Sequence, residues 1–322
     1  MNSIISGIGV YVPDKVLTNT ELENKVDTSS EWIIQRTGIH ERRIVTDETT
    51  TDMAVKAVEN MCRMYNKCLE DIDFVIVSSS TTEHRIPSVA SQLCDRLKIK
   101  NAGSYDLTSA CAGFTYALII AQSLIYTGNF KKILIISAEV LSRHTDYTDR
   151  TTCILFGDAA SAIIVESTNE KIFYTPITGT EGHNGHLLYL SQYPVKLNGM
   201  NICGDNTIFQ DGKKVFKWAV ERMSQIVLEL LEKNKLTLQD IDHFIPHSAN
   251  IRIIEAICSR INYPFQKTLT SVKNFGNTSA VSIPLALHAG VIKNKLKKED
   301  RILMLGFGGG LTYSGVITDW IL

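Results

Sequence analysis

The chain has 322 residues, of which 44% are hydrophobic and 21% are charged, and its formal net charge is −1. This length allows one large domain or two ordinary ones, and the composition is typical of a globular protein with a sizeable core. A net charge near zero provides no general attraction to nucleic acid or to an anionic membrane, and no apolar run approaches the roughly 18 residues of a membrane-spanning helix. The seven cysteines are scattered without a CxxC pair, which argues against structural zinc or a disulfide framework and favours a reducing, cytoplasmic setting.

Strand and helix patterns alternate along the chain from its first residues. Residues 1–7 lack the basic and apolar segments of a signal peptide and predict a first strand. Further along, helices are predicted at 50–66, 87–98, 114–126, 212–233, 249–260 and 285–293. The helix at 114–126 is apolar on nearly every face, which predicts that it is buried.

One order of elements occurs twice in the chain. In each copy an acidic lead-in and a short apolar strand are followed by a small-residue turn, an apolar helix and a second apolar strand. The first strands lie at 71–80 and 240–248, the turns at 109–113 and 276–280, and the second strands at 132–137 and 301–306. Chance recurrence of strand-helix-strand units is the alternative explanation. An internal duplication predicts an α/β fold of two similar, tightly packed halves, 1–170 and 171–322, with mixed sheets covered by helices.

Cys111 lies in the first of these turns, at the predicted N-terminal end of the buried helix. Free backbone N–H groups and the helix dipole at that position favour a thiolate, so we expect the pKa of Cys111 to be lowered. A nucleophilic thiol is one interpretation of this residue. A small buried cysteine that only fills space beside Gly113 is the other.

His247 is the histidine best placed to assist such a nucleophile. It follows the apolar run 244–246 at the predicted carboxyl end of a strand, where α/β sheets usually bind ligands. His183 and His186 have an HxxH spacing that also fits a metal site, but no third ligand accompanies them in the sequence. We therefore interpret them as solvated loop residues and expect no metal.

Asn277 occupies, in the second copy, the position that Cys111 is predicted to have in the first. An asparagine there is also well suited to cap the N-terminus of a helix. If a two-fold axis relates the halves, both helix starts converge on one cavity. Cys111, His247 and Asn277 would then supply a nucleophile and two hydrogen-bonding partners.

A glycine run at 306–310 follows a predicted strand near the C-terminus. Adjacent glycines let backbone N–H groups approach a ligand closely, as an oxyanion hole requires. A phosphate-binding loop is the rival interpretation, but the spacing is not GxGxxG and no Walker lysine follows.

At these residues the chain resembles the β-ketoacyl-acyl carrier protein synthase III family of the thiolase superfamily, essentially from end to end. The matching motifs lie at 26–33, 36–39, 109–114, 156–159, 246–250, 276–279 and 306–310. The resemblance implies a thiolase-like, five-layered αβαβα fold, a homodimer, and no cofactor beyond the coenzyme A (CoA) thioester that is the substrate. It implies an acyltransferase that condenses a short acyl-CoA primer with malonyl-acyl carrier protein (malonyl-ACP) through an acyl-cysteine and initiates fatty acid synthesis.

The resemblance also implies roles for individual residues. Cys111 is the nucleophile, His247 and Asn277 are its partners, and the backbone N–H groups of Cys111 and Gly309 form the oxyanion hole. CoA is held by Thr28, Trp32, Arg36, Arg150 and Asn250, the acyl pocket includes Ile86, and the acidic carrier protein docks on Lys217 and Arg252. An indole beside a guanidinium suits a nucleotide, whereas core packing is the alternative role of Trp32.

Two departures from the family pattern concern the choice of primer. Ser248 stands where many members have glutamine, and Ile86 stands where several have phenylalanine. A branched or unusual acyl group is therefore an open option. The nearest alternative function is a condensing or acyl-transfer enzyme of a specialised lipid or polyketide pathway.

Three further interpretations differ in class. Hydroxymethylglutaryl-CoA synthases share the fold but use a glutamate base, for which Glu83 is the only acidic candidate near the right strand. A Cys-His-Asn hydrolase uses the same residue types, but it has no place for the duplication or for the terminal glycine run. A non-catalytic module that binds acyl carrier protein would not need all three residues of the triad.

Overall fold

Strands and helices alternate along the computed structural model, which describes residues 2–322; Met1 of the predicted first strand lies outside the described residues. The strands are β1 Asn2–Tyr11, β2 Val16–Thr18, β3 Glu41–Arg43, β4 Phe74–Ser78, β5 Gly103–Leu107, β6 Lys132–Glu139, β7 Ala159–Thr168, β8 Ile177–Thr180, β9 Leu188–Leu190, β10 Val195–Leu197, β11 Met200–Ile202, β12 Ile208–Gln210, β13 His243–Pro246, β14 Arg301–Gly308 and β15 Thr312–Asp319. The helices are α1 Asn19–Glu23, α2 Ser30–Thr37, α3 Thr50–Tyr65, α4 Val89–Arg96, α5 Gly113–Tyr126, α6 Gly212–Lys233, α7 Ile251–Ile261, α8 Val272–Phe275 and α9 Ser282–Ile292.

The two large sheets share one strand order and one set of strand directions. The first sheet has five strands in the order β1-β7-β6-β4-β5, and the second has four in the order β8-β15-β14-β13. Counted from β1 in the first sheet and from β8 in the second, two antiparallel pairings are followed by a parallel one. A parallel bridge between Phe244 and Thr268 lies in the second sheet where β5 lies in the first. Such a repeated topology is what an internal duplication produces, while the division of the chain at residue 170 stays a prediction.

The helices form three layers around the two sheets. α5 and α9 lie in the middle and share one apolar core with both sheets, to which Ile76 and Met304 contribute. α3 and α4 pack on the outer face of the first sheet, and α6 and α7 pack on the outer face of the second. This is the predicted αβαβα arrangement. Across residues 2–322, no helix combines the length and the apolar character needed to cross a membrane.

The predicted helices are confirmed, and the differences are at their ends. α3 is capped by Thr49 and ends before Asn66, whose φ of 48° is left-handed. α7 begins two residues later than predicted because the side chain of Asn250 caps it. α9 begins earlier than predicted because Pro284 fits in a first turn, where its missing N–H would have no intrahelical acceptor.

Candidate active site

Cys111 lies on a tight turn between β5 and α5. Its neighbour Ala110 has a φ of 44°, a left-handed conformation that is costly for a residue other than glycine. The end of β14 crosses this turn so closely that a Cβ atom on Gly308 would lie 2.8 Å from the Cβ of Cys111. Glycine at 308 therefore lets the strand pass directly against the thiol. The glycine run begins within β14, which includes Gly306 and Gly308, and only Gly309 and Gly310 follow the strand.

A cavity of about 1020 Å³ reaches this turn. Its lining includes these predicted site residues: Trp32, Arg36, Cys111, His247, Asn250, Arg252, Asn277 and Gly309. Arg36 and Arg252 are exposed at the protein surface, whereas His247 and Asn277 are buried. The cavity therefore connects the surface with a cluster of one half-buried residue, Cys111 with its thiol, and the buried imidazole and amide of His247 and Asn277.

Four predicted site residues lie outside the cavity lining. The Arg150 guanidinium is 5.0 Å from the centre of the Trp32 ring, and the Arg36 guanidinium is 5.7 Å from the same ring. Ile86 is 88% exposed, and Lys217 is exposed on α6. The Thr28 hydroxyl is buried without a hydrogen-bond partner within residues 2–322.

His247 directly follows β13 and is 2% exposed. Its Nδ1 atom lies 2.7 Å from the Ser282 hydroxyl, and its ring packs edge-on against Phe307 with 5.3 Å between ring centres. Burial lowers the pKa of His247 to about 3, although the backbone carbonyl of Ser279 opposes this shift. The imidazole is therefore neutral at physiological pH, with one N–H and one lone pair.

The surroundings of Cys111 contradict the predicted direction of its pKa shift. Burial raises the pKa of the thiol to about 12, and a hydrogen bond with Ser279 opposes the rise. A nearby carboxyl, Glu139, raises the pKa further. Desolvation of a charged sulfur thus outweighs the favourable helix start, and the resting residue is a neutral thiol.

Asn277 presents its amide group in one orientation. Its Oδ1 atom accepts a hydrogen bond of 2.9 Å from the Ser279 N–H, which leaves the Nδ2 donors for the cavity. Its backbone is held to the first half by hydrogen bonds with Leu155 and Gly157. Asn277 is not the helix cap that the simpler interpretation expected, because Thr278 precedes the 3₁₀ turn and Val281 precedes α9. Its amide instead makes a local contact with Ser279 and faces the cavity that Cys111 lines.

The predicted equivalence of Cys111 and Asn277 is wrong in register. A 3₁₀ turn precedes each central helix, and the first residue of each turn has a positive φ: 44° at Ala110 and 50° at Ser279. Cys111 therefore corresponds to Ala280, and not to Asn277. The two helix starts nevertheless converge on one cavity, because Cys111, Asn277 and Ser279 all line it.

Glu139 is a buried carboxyl beside the site that the sequence interpretation missed. Its Oε2 atom accepts hydrogen bonds from the Ser80 N–H at 3.1 Å and from the Thr81 hydroxyl at 2.7 Å, and its Oε1 atom has no partner within residues 2–322. Burial raises its pKa from 4.5 to about 7. An acidic residue near the end of the predicted strand, three residues after the apolar run 133–136, is the sequence signal that could have identified it.

Glu139→Gln is expected to stabilise the protein at alkaline pH. A raised carboxyl pKa means that the folded state holds the proton more tightly, so native stability falls between pH 4.5 and about 7. By this linkage the variant should gain about 3 kcal/mol over the wild type at pH 8 and nothing at pH 4.5. Urea unfolding at both pH values measures this difference. Glu170→Gln, on an exposed carboxyl, is the control, and equal gains for both variants would contradict the interpretation.

Three residues that the alternative interpretations single out have other surroundings. Glu83, the candidate base of the hydroxymethylglutaryl-CoA synthase interpretation, accepts a hydrogen bond of 2.7 Å from the Thr51 N–H and does not line the cavity. His183 and His186 lie in a 3₁₀ segment, Gly182–Leu187, and not in an open loop. Within residues 2–322, no group of three His, Cys, Asp or Glu side chains is arranged to hold a metal ion.

Known proteins match this chain along its whole length. Family models described as 3-oxoacyl-[acyl-carrier-protein] synthase III and its C-terminal part match residues 105–182 and 231–320. The β-ketoacyl-[acyl-carrier-protein] synthase III 2 of Bacillus anthracis is 48% identical over 322 residues, 99% of this chain and 98% of the relative. The crystal structure of 3-oxoacyl-[acyl-carrier-protein] synthase III from Aquifex aeolicus VF5 is 40% identical with a TM-score of 0.93, over 99% of this chain and 100% of that one. The priming β-ketosynthase of the R1128 polyketide pathway is 33% identical with a TM-score of 0.91, over 99% and 96%.

A duplicated αβαβα fold in which a cysteine, a neutral histidine and an asparagine line one deep cavity defines a condensing acyltransferase of the thiolase-like fold. With full-length identities of this size, the chain belongs to the β-ketoacyl-[acyl-carrier-protein] synthase III family. The hydrolase and carrier-binding interpretations are thereby set aside.

Proposed function

We propose that this chain condenses a short acyl-CoA primer with malonyl-ACP, giving 3-oxoacyl-ACP, CoA and carbon dioxide, and so initiates fatty acid synthesis. The observation that supports this most directly is the single cavity lined by Cys111, His247 and Asn277 at the buried site and by Trp32 and Arg36 towards the surface. A long, narrow acyl-pantetheine thioester requires such a path from a nucleotide site to a nucleophile.

In the first half-reaction Cys111 attacks the thioester carbonyl of the acyl-CoA. The bond between that carbonyl carbon and the CoA sulfur breaks, and the thiol proton of the cysteine ends on the departing CoA sulfur. The backbone N–H groups of Cys111 and Gly309 stabilise the intermediate oxyanion. In support, a Cβ atom on Gly309 would lie 3.6 Å from the Cβ of Ala110 in the nucleophile's turn.

In the second half-reaction malonyl-ACP replaces CoA. His247 and Asn277 donate hydrogen bonds to the malonyl thioester carbonyl, which stabilises the enolate left when carbon dioxide departs. The enolate carbon attacks the acyl-Cys111 carbonyl, the carbon–sulfur bond to Cys111 breaks, and the cysteine takes a proton from solvent. In support, two groups can donate hydrogen bonds to that carbonyl: the neutral imidazole of His247 and the free Nδ2 group of Asn277.

The adenine of CoA is expected to bind at Trp32. The indole has the guanidinium groups of Arg36 and Arg150 beside it. The Asn250 side chain joins α7 to α2 by donating a hydrogen bond of 3.1 Å to the Arg36 carbonyl. Trp32→Ala should raise KM for acyl-CoA by about 10-fold, the loss of one stacking contact, and leave kcat nearly unchanged. Steady-state kinetics measure both constants. The control Trp32→Phe should retain most of the affinity for acyl-CoA. A fall in kcat alone would contradict this role of Trp32.

The carrier protein, the dimer and the location are further parts of the proposal. Arg252, on the exposed end of the cavity, and Lys217 on α6 offer positive charge to an acidic carrier protein, so its binding should weaken as salt rises.

Ile86, 88% exposed, is an apolar contact for a second copy in a cytoplasmic homodimer. Sedimentation equilibrium should therefore give twice the chain mass of 35.9 kDa, and a monomer would contradict the dimer.

The decisive test is the intact mass of the protein after brief incubation with acetyl-, isobutyryl-, isovaleryl- or octanoyl-CoA. We expect an acyl adduct that is absent from Cys111→Ala, and its yield ranks the primers. The likeness to the priming β-ketosynthase of a polyketide pathway favours one second candidate, a condensing enzyme of a specialised pathway. Adducts from acyl-ACP donors but from none of the four CoA esters would favour that candidate.

A further inference from the structure

Three buried serines lie behind His247. Ser248, Ser271 and Ser282 are each at most 5% exposed. The Ser248 hydroxyl accepts from the Ser271 N–H at 3.0 Å, and the Ser271 hydroxyl donates to the Ser282 carbonyl at 3.0 Å. This network joins the residue after the histidine to the first residue of α9, and Ser248 is the position at which many family members have glutamine.

The hydrogen bonds of the Ser282 hydroxyl determine where its proton lies. Its oxygen accepts from the Ser248 N–H at 3.2 Å, and the other polar atom in hydrogen-bond contact with it within residues 2–322 is the His247 Nδ1 atom at 2.7 Å. A hydroxyl has one proton to donate. That proton is therefore directed at Nδ1, which must be unprotonated to accept it.

We propose that Ser282 is a positioning residue that holds His247 in the tautomer with its proton on Nε2. A neutral imidazole whose Nδ1 accepts a hydrogen bond carries its single proton on the other nitrogen. In the opposite tautomer Nε2 would present a lone pair to the enolate oxygen and repel it. The inference rests on the proposed function, because it concerns the carbonyl donor of the decarboxylation step.

The position of Ser282 at the start of α9 explains how it can fix the tautomer of His247. Ser282 begins the helix directly after the 3₁₀ turn Ser279–Val281, so its side chain lies at a helix start that faces β13. Phe307 packs edge-on against the His247 ring and limits the rotation of that ring. Ser282 thus acts on the reaction through His247 and does not itself touch the substrate.

The test compares Ser282→Ala with Ser271→Ala, which removes a buried hydroxyl of the same network that does not contact His247. Ser282→Ala should lower kcat for malonyl-ACP decarboxylation by about 10- to 100-fold, as the loss of an orienting partner does elsewhere, with KM and the acylation of Cys111 nearly unchanged. In the same assay, Ser271→Ala should change kcat for decarboxylation by less than about 3-fold. Equal losses in both variants would overturn the inference.

Nitrogen-15 NMR of the wild-type imidazole supplies a readout that does not depend on a variant folding. The proposal requires the Nε2–H signature for His247, assigned by its absence from His247→Ala, and a mixed or Nδ1–H signature in Ser282→Ala. An Nδ1–H signature in the wild type would overturn it. A wild-type protein that neither decarboxylates malonyl-ACP nor condenses would refute the proposed function instead, while the tautomer measurement would still test the Ser282 contact.

Discussion

Cys111→Ser is expected to lower the rate of condensation by about 10³-fold or more while a measurable part of malonyl-ACP decarboxylation remains. In the proposed mechanism the cysteine sulfur carries the acyl group, and a serine hydroxyl is a far weaker nucleophile without an adjacent base. The carbonyl donors His247 and Asn277 are untouched by the change. Condensation is measured as the formation of 3-oxoacyl-ACP, and decarboxylation is measured as the release of carbon dioxide.

The matched control for this experiment is Cys153→Ser. Cys153 is a buried cysteine of the first half that does not line the cavity, so it reports the cost of the same substitution in the core. If Cys111→Ser condensed at the rate of Cys153→Ser, the acyl-cysteine mechanism would fail. Loss of both activities together, with an unfolded circular dichroism spectrum, would identify a folding defect instead.

His247→Ala should have the opposite pattern: decarboxylation falls by about 10² to 10³, the loss of one preorganised donor, while Cys111 is still acylated by acyl-CoA. The reason is that, in the proposed mechanism, the neutral imidazole donates a hydrogen bond to the enolate oxygen of the second half-reaction. Intact mass after incubation with acyl-CoA measures the first step, and release of carbon dioxide measures the second.

Two comparisons sharpen this result. Asn277→Ala should lower the decarboxylation rate by a similar factor, because the proposed mechanism gives its Nδ2 group the same oxygen as acceptor. His40→Ala, a substitution of an exposed histidine, should leave both steps unchanged. If His247→Ala blocked acylation but spared decarboxylation, the imidazole would belong to the first half-reaction and the proposed mechanism would be wrong.

The pKa of Cys111 shows how tertiary structure reverses a local expectation. The helix start predicts a lowered pKa, but the turn is enclosed by β14, with Gly308 against the thiol, and Glu139 lies nearby. Burial and a neighbouring carboxyl both penalise a thiolate. A resting neutral thiol is protected from adventitious oxidation, which requires the thiolate.

The sequence by itself determined the duplicated order of elements, the buried helix that follows Cys111, and the three residue types to which the chemistry is assigned in the proposed mechanism. These follow from apolar periodicity, from small-residue turns and from motifs that read along neighbouring residues. The same local signals placed the helices to within a few residues. Two of the differences lie at helix starts, where Asn250 caps α7 and Pro284 lies in the first turn of α9.

Only the tertiary structure decided the protonation of Cys111 and His247, the orientation of the Asn277 amide, the register between the two helix starts, and the presence of Glu139 and Ser282 behind the site. Each of these depends on groups far apart in the chain that meet in the interior of the protein. Desolvation and hydrogen-bond geometry are properties of that space, and no pattern along neighbouring residues specifies them.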